Sequence, residues 1–207
     1  MNTKRLMAVA GFWGMLIPWA VYFFGFVFGT RNPEGWYMSI SATYYSNAMM
    51  AFLVCMGISC GALIAYNQYT KMDDILSSVA GACGIILALF PCELLTTTPW
   101  NIFMLPMRYT SIIHYAAAFG FFGSLTILVG FYFTKSKGTQ TTQKMNRNRL
   151  YKFCAIWMGF SIAIGFGFKL GFPHSPIPFV WIGEALALQF FGIAWLTKGG
   201  VILKDEG

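Results

Sequence analysis

Six long apolar stretches constrain this chain more than any other feature of its sequence. A helix needs about 20 mostly apolar residues to cross the hydrocarbon core of a bilayer. Only short links separate the six stretches, which leaves no room for a soluble domain. The sequence therefore predicts an all-α integral membrane protein, a single bundle of six transmembrane helices over residues 1–207. The predicted spans are residues 6–29, 48–66, 76–95, 111–133, 150–168 and 178–196.

The composition excludes the common soluble classes. Hydrophobic residues make up 57% of the chain and charged residues 10%, whereas a soluble domain carries about 25% charged residues. One soluble core cannot enclose that much apolar surface. The cysteine count is odd and no C-x-x-C pair occurs, so we interpret the thiols as packing residues and not as a disulfide framework or zinc site. The cysteines are Cys55, Cys60, Cys83, Cys92 and Cys154.

The distribution of Lys and Arg predicts the orientation. With six spans both termini lie on one side, and 11 of the 14 Lys and Arg fall on that side, while Arg31, Arg108 and Lys169 fall on the other. Positively charged loops stay in the cytoplasm, so both termini and a basic loop over residues 135–149 are predicted to be cytoplasmic. Because this rule accounts for the net charge of +7, we expect membrane lipids as partners and no nucleic acid.

Small residues spaced four apart predict close contacts between helices. Lipid supplies no hydrophobic drive between helices, so close backbone approach matters more. Gly57 and Gly61 give this spacing in the second span, and Gly183 and Ala187 give it in the sixth. We expect tight packing within the chain at these positions, and the same faces allow a homo-oligomer.

Ionisable residues enter the spans mainly from the outer side. Each costs at least about 2.5 kcal/mol in hydrocarbon and usually faces the bundle interior. Glu184 needs a partner, for which the sequence offers Lys169, His114 or a tyrosine hydroxyl. We expect the polar side chains to meet in an outward-facing pocket, capped by the segment before the second span. The candidate ligand-binding residues are Glu93, His114, Glu184, Ser39, Ser41, Tyr44 and Tyr45.

No motif selects a reaction. The sequence has no H-E-x-x-H and no P-loop, and two histidines cannot form a three-histidine zinc site. We therefore predict no catalytic residue, metal or cofactor. Three interpretations stay open. The first is binding of a lipid headgroup or small amphiphile. The second is a membrane-embedded lipid-modifying enzyme that uses His114 with Glu93 or Glu184 as acid and base. The third is a small transporter, which the lack of an inverted repeat disfavours.

A set of short motifs spread over nearly the whole chain resembles a known group of proteins. The chain resembles small, uncharacterised bacterial membrane proteins classed as a domain of unknown function, which are distantly similar to eukaryotic six-span DRAM/Frag-type proteins. The resemblance implies six helices and residence in a bacterial inner membrane, with no reaction to carry over. The motifs are Ser39–Tyr45, Leu89–Cys92, His114, Arg147–Tyr151, Glu184–Leu188 and Phe191–Gly199.

The charge distribution generates a topology prediction. A cysteine placed at Gln140 on a cysteine-free background is expected to be labelled only when a thiol reagent reaches the cytoplasmic side, because the basic loop stays inside. Labelling of intact cells with permeant and impermeant maleimides measures this. Labelling by the impermeant reagent would contradict the predicted orientation.

Overall fold

A computed structural model of the protein describes residues 2–29, 32, 34–66, 70–92, 105–135 and 141–204. Over these residues it contains six α-helices and no β-strand, which confirms the all-α prediction. A 3-10 turn at Ser41–Tyr45 precedes the second helix, and a π-helical turn at Leu128–Tyr132 continues the fourth. The helices are α1 (Thr3–Val27), α2 (Met49–Ile64), α3 (Lys71–Leu89), α4 (Met107–Ile127), α5 (Thr142–Gly171) and α6 (Phe179–Lys198).

The helices form a closed ring in which each packs on the next along the chain and α6 packs on α1. Two side-chain hydrogen bonds link neighbouring helices. Ser59 Oγ donates to the Ala10 carbonyl at 3.0 Å, and Ser77 Oγ donates to the Leu63 carbonyl at 2.6 Å. Each satisfies a buried hydroxyl with a backbone acceptor, which is the arrangement a lipid environment requires.

One end of the bundle gathers the first residues of α1, α3 and α5 and the last residues of α2 and α6, and we call it the basic end. The terminal helices meet there, since a Cβ on Gly199 would lie 2.9 Å from the Lys4 carbonyl oxygen. Arg147 also reaches across this end, where its Nη2 donates to the Thr197 carbonyl at 2.9 Å. The described parts of both chain ends therefore lie at the same end of the bundle.

Five helices of the described chain are long and apolar enough to cross a membrane, which indicates a multi-pass membrane protein. The exception is α2, an apolar helix of 16 residues. At about 1.5 Å per residue it is roughly 24 Å long, shorter than the roughly 30 Å hydrocarbon core. The helix count matches the prediction, but α2 alone is too short to count as a sixth span.

The prediction of a loop over residues 135–149 was wrong for the second half of this range. Residues 136–140 lie outside the described residues, but α5 begins at Thr142 and covers the rest of that range. The Thr141 hydroxyl caps the helix by accepting from the Lys144 amide at 3.2 Å. Lys, Arg and Gln are good helix formers, so polarity in this stretch extends a helix into water instead of ending it.

The predicted close contact at Gly57 and Gly61 was also wrong. A Cβ built on either glycine meets nothing within 4 Å, because both lie on the exposed face of α2. The prediction holds at Gly183, where a Cβ would lie 2.5 Å from the Ser161 carbonyl oxygen and 3.1 Å from the Gly165 Cα. Spacing identified the small residues, but the rotation of each helix decides which of them touch a neighbour.

This difference predicts opposite outcomes for one substitution at two glycines. Gly183→Ala is expected to destabilise the protein by about 1–3 kcal/mol, because the added methyl group overlaps the α5 backbone. Gly57→Ala is the matched control and should leave stability unchanged or slightly raised, since alanine favours a helix by about 1 kcal/mol over glycine. Melting temperatures in detergent measure both. Equal melting temperatures for the two variants would contradict the packing described for α5 and α6.

Candidate functional site

A cavity of about 990 Å³ lies at the end of the bundle opposite the basic end. Its walls come from α4, α5 and the start of α6, and residues between α1 and α2 and just after α3 close the remaining sides. The lining consists of a few polar side chains and a larger apolar surface. The polar and thiol-bearing members are Glu34, Ser39, Cys92, His114, Lys169 and Glu184, and the large apolar members include Tyr115, Phe119, Phe122, Ile162, Phe166 and Leu170.

Glu184 lies on the wall of this cavity and is 7% exposed. Its Oε2 accepts a hydrogen bond from the Ile40 amide at 2.6 Å. Ile40 directly precedes the 3-10 turn, and an amide at the start of a helical turn has no carbonyl partner within it. The sequence predicted a side-chain partner for Glu184, so the backbone amide is a correction. A second bond, from the Trp181 amide to the Met38 carbonyl at 3.2 Å, holds the same segment against α6.

His114 projects from α4 into the same cavity and is 3% exposed. Its Nδ1 lies 2.7 Å from the Phe90 carbonyl oxygen. Because a carbonyl only accepts, the hydrogen-bond network assigns the proton to Nδ1. In the neutral ring the lone pair then sits on Nε2.

Ser39 and Cys92 complete the polar part of the lining. Ser39 Oγ accepts from the Ala42 amide at 3.0 Å, and the Cys92 thiol lies beside this hydroxyl and near the Glu184 carboxylate. Cys92 was interpreted from the sequence as a packing residue, and its place in the cavity was missed. The available signal was its position directly after Pro91, where a helix ends and a side chain can turn into the bundle.

The other predicted site residues support the cavity without lining it. Tyr45 donates from its hydroxyl to the Cys92 carbonyl at 2.9 Å, and its ring lies 5.4 Å from that of Tyr44. Ser41 and Tyr44 are buried in the 3-10 turn. Glu93 lies outside the described residues. The structure thus brings Glu184, His114 and Ser39 to one cavity and places the tyrosines in the turn behind it.

The two ends of the cavity differ in polarity. Lys169 and Glu34 are exposed residues at the outer rim, and Lys169 Nζ donates to the Pro173 carbonyl at 2.9 Å. Farther into the bundle the lining is formed by Phe119, Phe122 and Ile162. Phe119 is 83% exposed while it lines the cavity, so the cavity opens sideways beside α4 as well as at the rim.

Comparisons with known proteins add no relative. No protein-family model, no curated protein and no solved structure matches this chain. Over the described residues, no group of three or more His, Cys, Asp or Glu side chains could hold a metal ion. The function therefore has to be argued from the geometry of the cavity.

The link between Glu184 and Ile40 predicts how the outer segment is held. Glu184→Ala removes the acceptor of the buried Ile40 amide, which is expected to cost about 1–3 kcal/mol. Hydrogen exchange of the amides in residues 38–45 should become faster, and the melting temperature should fall. Lys169→Ala is the control, because Lys169 lies at the exposed rim. Unchanged exchange in Glu184→Ala would show that the bond does not hold the segment.

Proposed function

We propose that this protein is a multi-pass membrane protein that binds an amphiphile, a lipid or a small lipid-like molecule, in the cavity between α4, α5 and α6. The observation that carries the proposal is the polarity gradient of one cavity. The buried Glu184 and His114 and the half-buried Ser39 form a polar region, and the aromatic side chains of Phe119 and Phe122, farther along α4, form an apolar one.

The size and opening of the cavity support this proposal. Sites for small molecules are typically about 300–1,000 Å³, mostly apolar, with a few placed polar groups, and this cavity has about 990 Å³. The sideways opening at Phe119 would let an acyl chain pass between the cavity and surrounding lipid without crossing water. A head in the polar region and a chain along Phe122 and Ile162 would then match the lining at both ends.

The membrane arrangement belongs to the same proposal. We infer six crossings, because α2 packs between α1 and α3 along the ring. The 3-10 turn at Ser41–Tyr45, which precedes α2, would lengthen this crossing toward the cavity end. The basic end would face the cytoplasm, so the cavity would face outward. Membership of the uncharacterised bacterial six-span family, placement in the inner membrane and a homo-oligomer remain predictions.

Blocking the cavity tests the binding function. Ile162→Trp places a larger ring on the cavity wall and is expected to reduce lipid that copurifies with the protein by about tenfold, the loss expected for about 1.4 kcal/mol. Ile156→Trp is the matched control, since Ile156 is an exposed residue of the same helix outside the cavity lining. Lipids extracted from equal amounts of folded protein are quantified by mass spectrometry.

Two outcomes of this measurement contradict the proposal. Equal copurified lipid in the two tryptophan variants would place any bound lipid on the outer surface of the bundle. Conversion of an added lipid by the purified protein, abolished in His114→Gln, would replace binding by the catalytic interpretation.

A further inference from the structure

We infer that the head of the bound amphiphile carries a primary or secondary ammonium group that pairs with Glu184 and His114. This inference rests on the proposed function, since it names the class of ligand for the same cavity. It starts from the hydrogen-bonding character of the buried carboxyl group and the buried imidazole of the lining.

Glu184 supplies a buried carboxyl group. Its Oε2 accepts from the Ile40 amide, and no Lys or Arg of the described chain forms an ion pair with it. Lys169, the lysine of the lining, is exposed and donates to the Pro173 carbonyl. A buried carboxylate without a counter-charge is costly, and a cation in the cavity would remove that cost.

His114 adds a second acceptor. Its proton is held on Nδ1 by the Phe90 carbonyl, so Nε2 of the neutral ring carries a lone pair and accepts. The Glu184 carboxylate and this nitrogen are both acceptors on the lining of one cavity. An ammonium with two or three N–H bonds can donate to acceptors of both kinds, whereas a fully ionised phosphate, sulfate or carboxylate has no hydrogen to donate.

The remaining lining is consistent with this charge. Among the described lining residues, the carboxyl groups of Glu34 and Glu184 outnumber the lysines, of which Lys169 is the member. Glu34 and Lys169 lie at the exposed rim, where water screens their charge, and Glu184 lies deeper. A cationic head would therefore find its strongest partner beyond the rim, with its chain directed toward Phe119 and Phe122.

Two sources could supply this head, a free single-chain amine and the ethanolamine of a phospholipid. Dodecylamine and lysophosphatidylethanolamine represent them, and dodecanol and lysophosphatidylcholine are the matched ligands without an N–H-bearing cation. Each is titrated into the full protein in nanodiscs and followed by native mass spectrometry. At least one amine is expected to bind about 10- to 100-fold more tightly than its matched ligand, the range of hydrogen bonds to charged groups.

Glu184→Gln is expected to reduce this preference to less than about threefold, because the amide keeps an acceptor for Ile40 but loses the charge. Glu34→Gln is the control carboxylate at the rim, and its effect should be smaller. Equal binding of each amine and its matched ligand in the unsubstituted protein overturns the inference. If each amine and its matched ligand bind equally and Ile162→Trp blocks both, the amphiphile function stands and the ammonium fails alone; if no probe binds, both fail.

A second measurement needs no substitution and so does not depend on whether Glu184→Gln folds. A hydrophobic carbodiimide activates the Glu184 carboxyl group, and the bound dodecylamine, after losing a proton to solvent, attacks its carbonyl carbon. An amide C–N bond forms, and the carbodiimide leaves as a urea that carries the carboxyl oxygen. The expected product is the α6 peptide with the mass of the added amine on Glu184. An amide on Glu34 with none on Glu184 overturns the inference.

Discussion

The bond from the Ile40 amide to the Glu184 carboxylate connects the parts of the molecule that form the site. In a lipid environment each buried amide and carboxylate has to find a partner within the protein. Here each group is the other's partner, and the bond ties the segment before α2 to the first turns of α6. This attachment positions Ser39 and Ala42, which lie on either side of Ile40 and form part of the cavity wall. Without the bond the outer segment would leave a polar amide exposed to hydrocarbon.

The packing of α5 explains why the cavity lies where it does. Along α6, Gly165 and Gly183 let the two helices approach until a Cβ would overlap backbone. Along α4 the close approach is at the π-helical turn, where a Cβ on Gly130 would lie 3.0 Å from the Cβ of Ala155. Toward the cavity end the side chains that face each other are Tyr115 and Phe166, whose ring centroids are 6.5 Å apart. The cavity is the space left between a helix pair in close contact and a third helix, α4, that comes close to α5 at the opposite end.

Hydropathy was enough to predict the helices, because apolar length is a property of the sequence alone. It could not predict which face of a helix points inward, so the glycines of α2 were assigned to a contact they do not make. It predicted that Glu184 is buried, but a backbone amide from a distant loop leaves no trace in the spacing of residues. His114 and Ser39 were found because polar residues near span ends are few. The supporting role of Tyr45 toward Cys92 depends on how a short turn folds back, which no periodicity describes.

The two ends of the bundle are filled in different ways, and this difference bears on the proposed function. At the basic end, the Arg147 guanidinium reaches the carbonyl at the end of α6, and an aromatic group of Tyr66, Phe133, Tyr151 and Trp195 fills the space below it. Large side chains of the protein fill this part of the bundle, where the Trp195 Nε1 atom is buried without a hydrogen-bond partner. At the cavity end, the buried carboxylate and the histidine each use one hydrogen-bonding position to hold the backbone, and both still face open volume. Buried polar groups are normally satisfied by protein or by a bound molecule, so the open volume beside Glu184 and His114 supports the proposal of a ligand site at the cavity end.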